Sequence, residues 1–282
     1  MDKNINYTYA TVPTQFIEAN GVSFAYRSYG KEGGTPAIYL NHLAAVLDNC
    51  DPRVMDGIAT QRLIISVDYR GVGASSGIAP ETIQAMATDT IAFIKKMGFK
   101  QVDLLGFSLG GMVSQEIVLQ EPGLVNKIIL AGTGPRGGNG MNKVTKITYY
   151  DILRGHLTFR DPKFYLFFTK TANGKKAARQ FLNRIKERTK NRDTEISIST
   201  MNRQLKAIHA WSLEKPADLS QIKQQVLVVN GEADRMVPTV NSYDMAKRFP
   251  NAALIIYPDS GHGGIFQHHE VFVQQALAFL SK

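Results

Sequence analysis

The sequence predicts an α/β fold, a mostly parallel, doubly wound sheet covered by helices on both faces and interrupted by a helical insertion. Three observations carry this reading. Short apolar runs that suit buried strands alternate with helical patterns as far as Ala131. The rhythm stops from Arg136 to about Leu219, where the pattern is helical and holds no clear core strand. It resumes at Gln225 and continues to the last helix. A chain of 282 residues is long enough for one large α/β domain with a sizeable core. Its 44% apolar and 20% charged residues are ordinary for a soluble globular protein and exclude disordered and collagen-like classes.

Residues 1–14 read as a weakly specified lead-in. Phe16 and Ile17, then Val22, Phe24 and Tyr26, alternate around Asn20-Gly21, which is a hairpin pattern. After the break at Gly33-Gly34-Thr35-Pro36, Ala37–Leu40 forms a short core strand that runs into Asn41-His42-Leu43-Ala44-Ala45. Leu63–Val67 is the next strand, with Asp68–Ser75 as its exit loop. Glu81–Met97 carries Ile83, Met86, Ile91 and Ile94 at helical spacing, and Gly98 closes that helix. Val102, Leu104 and Leu105 form a buried strand, a helical pattern at Met112, Val113, Glu116 and Ile117 follows, and Lys127–Ala131 is again a strand. In the insertion, Phe159, Phe164, Tyr165, Phe167 and Phe168 cluster, Lys175–Lys190 is strongly basic, and Trp211 lies near the end. Gln225–Asn230 and Ala253–Tyr257 are strands, separated by a helix near Val240–Phe249, and His269–Leu280 is the last helix.

The net charge of +9 is unevenly placed. Between Gly134 and Ser220 there are 18 Lys and Arg against 7 Asp and Glu, which leaves 15 against 17 for the rest of the chain. The basic character therefore belongs to the insertion, where it reads as a solvated helical surface. No zinc-finger, bZIP or RNP-type pattern accompanies it, so nucleic acid is not expected as a partner. No stretch approaches the roughly 18 apolar residues of a membrane span, and the N-terminus has no apolar region of signal-peptide type, so a cytoplasmic protein is expected. The single cysteine, Cys50, makes no intramolecular disulfide and reads as a small buried residue. Nothing in the sequence specifies an oligomeric state.

The chemistry concentrates at Gly106-Phe107-Ser108-Leu109-Gly110, where a strand, a one-residue corner and a helix meet. Glycines at 106 and 110 let the helix pack close to the strand. The corner lifts the Ser108 hydroxyl above the sheet and aims the Leu109 amide, at a helix N-terminus, into the same space. Gly73-Ala74-Ser75-Ser76-Gly77 fits the same five-residue pattern, but no strand precedes it and no helix follows, so Ser75 reads as a loop residue. A serine hydroxyl needs a base and an orienting group on the same sheet edge. After Val226–Asn230 comes Gly231-Glu232-Ala233-Asp234-Arg235-Met236-Val237-Pro238, and after Ala253–Tyr257 comes Pro258-Asp259-Ser260-Gly261-His262-Gly263-Gly264. An elbow, an acid loop and a histidine loop in this order resemble the α/β-hydrolase superfamily, of the serine esterase or lactonase type with a helical cap. The resemblance covers the catalytic domain, residues 1–134 and 221–282, and places the cap at 135–220.

The resemblance implies a catalytic Ser108, Asp234 and His262, with Glu232 as the alternative acid. It makes the Ala44 amide the second oxyanion donor beside Leu109. Leu43 stands where many members have glycine, which leaves Leu43 itself as the alternative donor. His42 lines the oxyanion loop, and His42, Phe107, Phe167, Phe168 and Trp211 are candidate substrate-binding residues under an apolar roof. His156 and His209 read as surface or cap packing, His268 and His269 as the start of the last helix, and Asp68 as part of a structural loop. The implied reaction is serine hydrolysis of a carboxylic ester or lactone, on a bulky or apolar small molecule, with no metal or organic cofactor. The alternatives on the same residues are a cofactor-free haloperoxidase or perhydrolase and a carbon–carbon bond hydrolase. A non-catalytic ligand-binding protein is the rival from another class.

Overall fold

The computed structural model describes residues 7–281. Its sheet has eight strands: β1 (Gln15–Ala19), β2 (Val22–Gly30), β3 (Ala37–Leu40), β4 (Leu63–Val67), β5 (Val102–Phe107), β6 (Val125–Ala131), β7 (Gln225–Gly231) and β8 (Ala252–Tyr257). They lie in the order β1-β2-β4-β3-β5-β6-β7-β8. The hairpin turns at Asn20-Gly21, β2 runs antiparallel to β4, and β3 to β8 are parallel. From β3 the chain steps outward to β4, then crosses back to β5 on the other side of β3. Neighbouring strands β3 and β5 therefore send their exit loops in opposite directions, and a crevice opens at their carboxyl ends.

The two-residue period of a strand splits the apolar residues between two cores. Ile38, Leu40, Leu104, Ile128, Leu130, Val226 and Val228 face one layer. Ala37, Tyr39, Leu105, Phe107, Ile129, Leu227 and Val229 face the other. Between β3 and β4 runs α1 (Pro52–Ala59), a helix absent from the sequence reading, and Asp51 caps it by accepting from the Arg53 amide at 3.0 Å. Its Val54, Met55 and Ile58 pack in the second core. Helices α2 (Ile83–Lys96) and α3 (Leu109–Gln120) cover the first. Thr82 caps α2 by accepting from the Ala85 amide at 3.2 Å, and Gly98, at φ +83°, ends it.

Among the described residues, the segment between β6 and β7 holds helices and no strand: α4 (Val144–Thr158), α5 (Lys163–Leu166), α6 (Ala172–Arg184) and α7 (Ile198–Leu213), joined by irregular loops. After it come α8 (Val240–Arg248), α9 (Gly264–Gln267) and α10 (His269–Ser281). The insertion is bolted to the rest of the molecule. Arg184 pairs with Asp51 at 2.6 Å and donates to the Phe266 carbonyl at 2.9 Å, and Phe181 stacks on Phe266. Lys175, Lys176 and Arg179 are exposed to solvent. Among the described residues no helix is long and apolar enough to cross a membrane.

The lead-in differs from expectation where it is described. Residues 1–6 lie outside the described residues, but Tyr9 is buried and donates to the Leu47 carbonyl at 2.7 Å, so this stretch is packed. Trp211 departs as well. It is 1% exposed, belongs to the first core and lies beneath the Arg136 guanidinium, so it forms no part of a ligand surface. A large ring at the inner end of a helix returning to the sheet anchors that helix by burial.

Candidate active site

Ser108 sits where β5 ends and α3 begins, with φ 56° and ψ −115°. For a residue with a Cβ this backbone costs about 1–3 kcal/mol, and only surrounding structure sustains it. The Ser108 amide donates to the Ala131 carbonyl at 2.8 Å, which ties the corner to β6. A Cβ on Gly110 would run into the Leu40 carbonyl of β3 and one on Gly106 into the Gly110 carbonyl, so both positions require glycine for close approach. As the first residue of α3, Leu109 has an amide with no partner inside the helix.

The loops after β7 and β8 bring two more side chains to this corner. The Glu232 amide donates to the Tyr257 carbonyl and the Ala233 amide to the Ser260 carbonyl, both at 2.9 Å, so the loops are stitched together. Asp234 Oδ1 accepts from the Met236 and Val237 amides at 2.8 and 3.0 Å, and its Oδ2 lies 2.7 Å from His262 Nδ1. His262 Nε2 lies 2.9 Å from Ser108 Oγ. A carboxylate accepts only, so Nδ1 carries the proton and Nε2 is left as the acceptor for the serine hydroxyl. All three side chains are buried, and the imidazole packs against the Phe107 and Phe167 rings.

Residues 36–269 match the family model described as the alpha/beta hydrolase fold. The chain is an α/β-hydrolase. Its structure superposes with a TM-score of 0.93 on an alpha/beta hydrolase fold protein from Chitinophaga pinensis, which is 36% identical, over 97% of this chain and 99% of that one. A pimeloyl-(acyl-carrier protein) methyl ester esterase of Nitrosomonas europaea is 26% identical over 86% of this chain and 94% of its own length. A 2-hydroxy-6-oxo-6-(2'-aminophenyl)hexa-2,4-dienoic acid hydrolase of Metapseudomonas resinovorans is 25% identical over 95% and 91%.

Around Ser108 this hydrolase forms a cleft of about 180 Å³, lined by His42, Leu43, Ala44, His262 and, from the insertion, Thr148, Ile152, Leu166, Phe167 and Met201. Of the aromatic cluster at 159–168, Phe167 is the ring that lines it. Phe168 packs behind against Phe181, Phe164 is buried, and Phe159 is 98% exposed. Phe107 supports the site from below, with its ring against His42, His262, Phe167 and Phe266. Ile152, Leu166, Met201 and Met236 also line the cleft and were missed, because apolar residues at helical spacing carry no mark of which core they face.

His42 Nδ1 donates to the Leu43 carbonyl at 2.7 Å. Burial, with the nearby Lys163 charge adding to it, pushes the His42 pKa down to about 3, so the ring is neutral at working pH. The expected oxyanion donor needs correction. The Ala44 amide is committed to Gln204 Oε1 at 2.8 Å, whereas the amide of Leu43, the alternative, donates to none of the described residues. Glu232, the alternative acid, accepts from the Asp259 amide at 3.3 Å, on the exposed side of the loop and away from His262. His156 and His209 are exposed, and His268 stacks on Tyr257, just before α10 begins at His269.

Proposed function

We propose that this hydrolase cleaves a carboxylic ester or lactone by acyl transfer to Ser108. The observation that carries the reading is the unbroken chain from Ser108 Oγ through the His262 ring to Asp234, at 2.9 and 2.7 Å. As Ser108 Oγ attacks the carbonyl, His262 Nε2 takes its proton, and Asp234 stabilises the imidazolium while holding the ring in the correct tautomer. The oxyanion forms between the Leu109 and Leu43 amides. Collapse breaks the bond to the alkoxide, which leaves with the proton from His262. Water, activated by the same ring, then attacks the acyl-enzyme and frees the acid.

We further read the insertion, residues 135–220, as a cap that supplies the apolar side of the cleft. The volume of about 180 Å³ is below the roughly 300 Å³ at which drug-sized sites begin, which favours a compact apolar acyl group or small lactone over a bulky one. The esterase from Nitrosomonas europaea supports the ester reading. A second reading, hydrolysis of a carbon–carbon bond, is favoured by the relative from Metapseudomonas resinovorans. The test is a panel of p-nitrophenyl esters of increasing chain length, short acyl-homoserine lactones and a 2-hydroxy-6-oxohexadienoate, run on wild type and Ser108→Ala. Turnover of short esters or lactones that disappears in Ser108→Ala is expected. Turnover of the dienoate alone would move the assignment to the second reading, and an active Ser108→Ala would sink both.

A further inference from the structure

We propose that Gln204 of α7, in the insertion, is a positioning residue that holds the oxyanion-binding amide of Leu43 in place by gripping the peptide beside it. The inference rests on the serine-hydrolase reading above. The loop after β3 lacks the glycine that would let it adopt its shape freely. Leu43 and Ala44 occupy the turn, and Ala44 sits at φ +56°, a conformation that residues with a Cβ rarely adopt unaided. Both polar groups of the Leu43–Ala44 peptide are held from outside the backbone. Its carbonyl accepts from His42 Nδ1 at 2.7 Å and its N–H donates to Gln204 Oε1 at 2.8 Å. The Asn41–His42 peptide is pinned as well, since the His42 amide donates to Asn41 Oδ1 at 2.9 Å. The peptide between these two carries the Leu43 N–H, and with both neighbours fixed its direction is fixed too.

Gln204 itself points to a purpose beyond packing. It is 0% exposed, and its Nε2 has no partner among the described residues. A buried amide with an unsatisfied NH₂ is unfavourable for stability, so the side chain is placed for what its oxygen does. The oxygen sits on a helix that is itself seated on core loops: Thr200 Oγ1 donates to the Gly71 carbonyl at 3.0 Å, and Arg203 Nε donates to the Ala79 carbonyl. The oxyanion site is therefore completed by the insertion, and α7 must be docked for the Leu43 amide to be presented.

The experiment follows phosphonylation by a small fluorophosphonate. In this step Ser108 Oγ forms the P–O bond as fluoride leaves, the proton passes to His262, and the phosphoryl oxygen occupies the oxyanion site. It needs no knowledge of the natural substrate. Gln204→Met, which keeps the length but removes the acceptor, should label about ten- to a hundredfold more slowly than wild type while still unfolding in one cooperative thermal transition. For a short p-nitrophenyl ester the same loss should fall on kcat and leave KM within about twofold. Gln204→Glu, which keeps an oxygen acceptor, should recover most of the rate. Gln204→Asn, which withdraws the amide by one methylene, gives the same comparison if the Met variant does not fold. Labelling of Gln204→Met at the wild-type rate, or a loss that Gln204→Glu does not restore, would overturn the proposal. Wild type that resists labelling altogether would instead overturn the serine-nucleophile reading on which it stands.

Discussion

Ser75 and Ser108 occupy the centre of the same five-residue pattern and do opposite things. Ser75 is saturated by its own neighbourhood. Its Oγ donates to the Asp68 carbonyl and accepts from the Ala25 amide, both at 2.9 Å, so the hydroxyl serves as a strut between a loop and β2. Ser108 stands on a strained corner, and among the described residues its Oγ meets a single side-chain partner, the acceptor nitrogen of His262. A hydroxyl whose lone pair and proton are both committed to backbone is inert. One aimed at a base, with unpaired amides nearby, is prepared to react. The pattern is indifferent to this distinction, and the strand before Ser108 and helix after it create it.

The largest expected effect bears directly on that contrast. Ser108→Ala should lower ester or lactone turnover on the order of a millionfold with the fold intact. Ser75→Ala should keep near wild-type kcat and KM but lose about 1–3 kcal/mol of stability in urea, because a buried backbone amide loses its acceptor. A dead Ser75→Ala beside an active Ser108→Ala would reverse the comparison. Next in size, Asp234→Asn should cost roughly four orders of magnitude in kcat by favouring the wrong imidazole tautomer. Glu232→Gln, two residues away on the exposed side, should stay within about threefold on the same assay. Equal losses in the two variants would show that the acid loop works as a unit and that the Asp234–His262 contact is not the decisive one.

The smallest effect sharpens the other half of the comparison, since Asp68 belongs to the Ser75 loop. Burial, then a hydrogen bond and charge repulsion from Asp193, raise the Asp68 pKa well above the ordinary carboxylate value. As an ionised group its Oδ2 finds no donor among the described residues, whereas the protonated acid has a proton to offer the Asp193 carboxylate of the insertion. A carboxyl with a raised native pKa contributes stability fully below its unfolded pKa of about 3.9 and loses it as pH rises toward the native value, by up to about 1.4 kcal/mol per pH unit. Asp68→Asn donates to Asp193 without a proton to lose. Its stability relative to wild type, from urea melts, should therefore rise as the pH is raised above about 4, and a pH-independent difference would contradict the raised Asp68 pKa.

Much of the candidate site's geometry was legible because it is local. Ser108, Asp234 and His262 each follow a short apolar strand, and parallel strands deliver their exit loops to one edge, so three separate patterns fix one meeting point. The covering of the sheet on both faces was legible for the same reason, through short apolar runs in β5, β6 and β7. What lay beyond reach depends on contacts between residues distant in sequence. Gln204 reaches Ala44 across 160 positions, and a polar residue on an otherwise unremarkable helix gives no sign of that. Trp211 and Phe168 read as pocket aromatics because composition reveals a cluster but not which ring turns inward. The short helix α1 was hidden by its length, since eight residues with a proline at the start give little periodicity to count.

The central claim, that Ser108 is the nucleophile and Ser75 is not, is tested most directly by mapping where a fluorophosphonate attaches to the wild-type protein. After brief exposure, digestion and mass spectrometry, the account predicts one stoichiometric adduct on the peptide containing Ser108, abolished by Ser108→Ala and untouched by Ser75→Ala. An adduct on Ser75, or one that survives in Ser108→Ala, would contradict it.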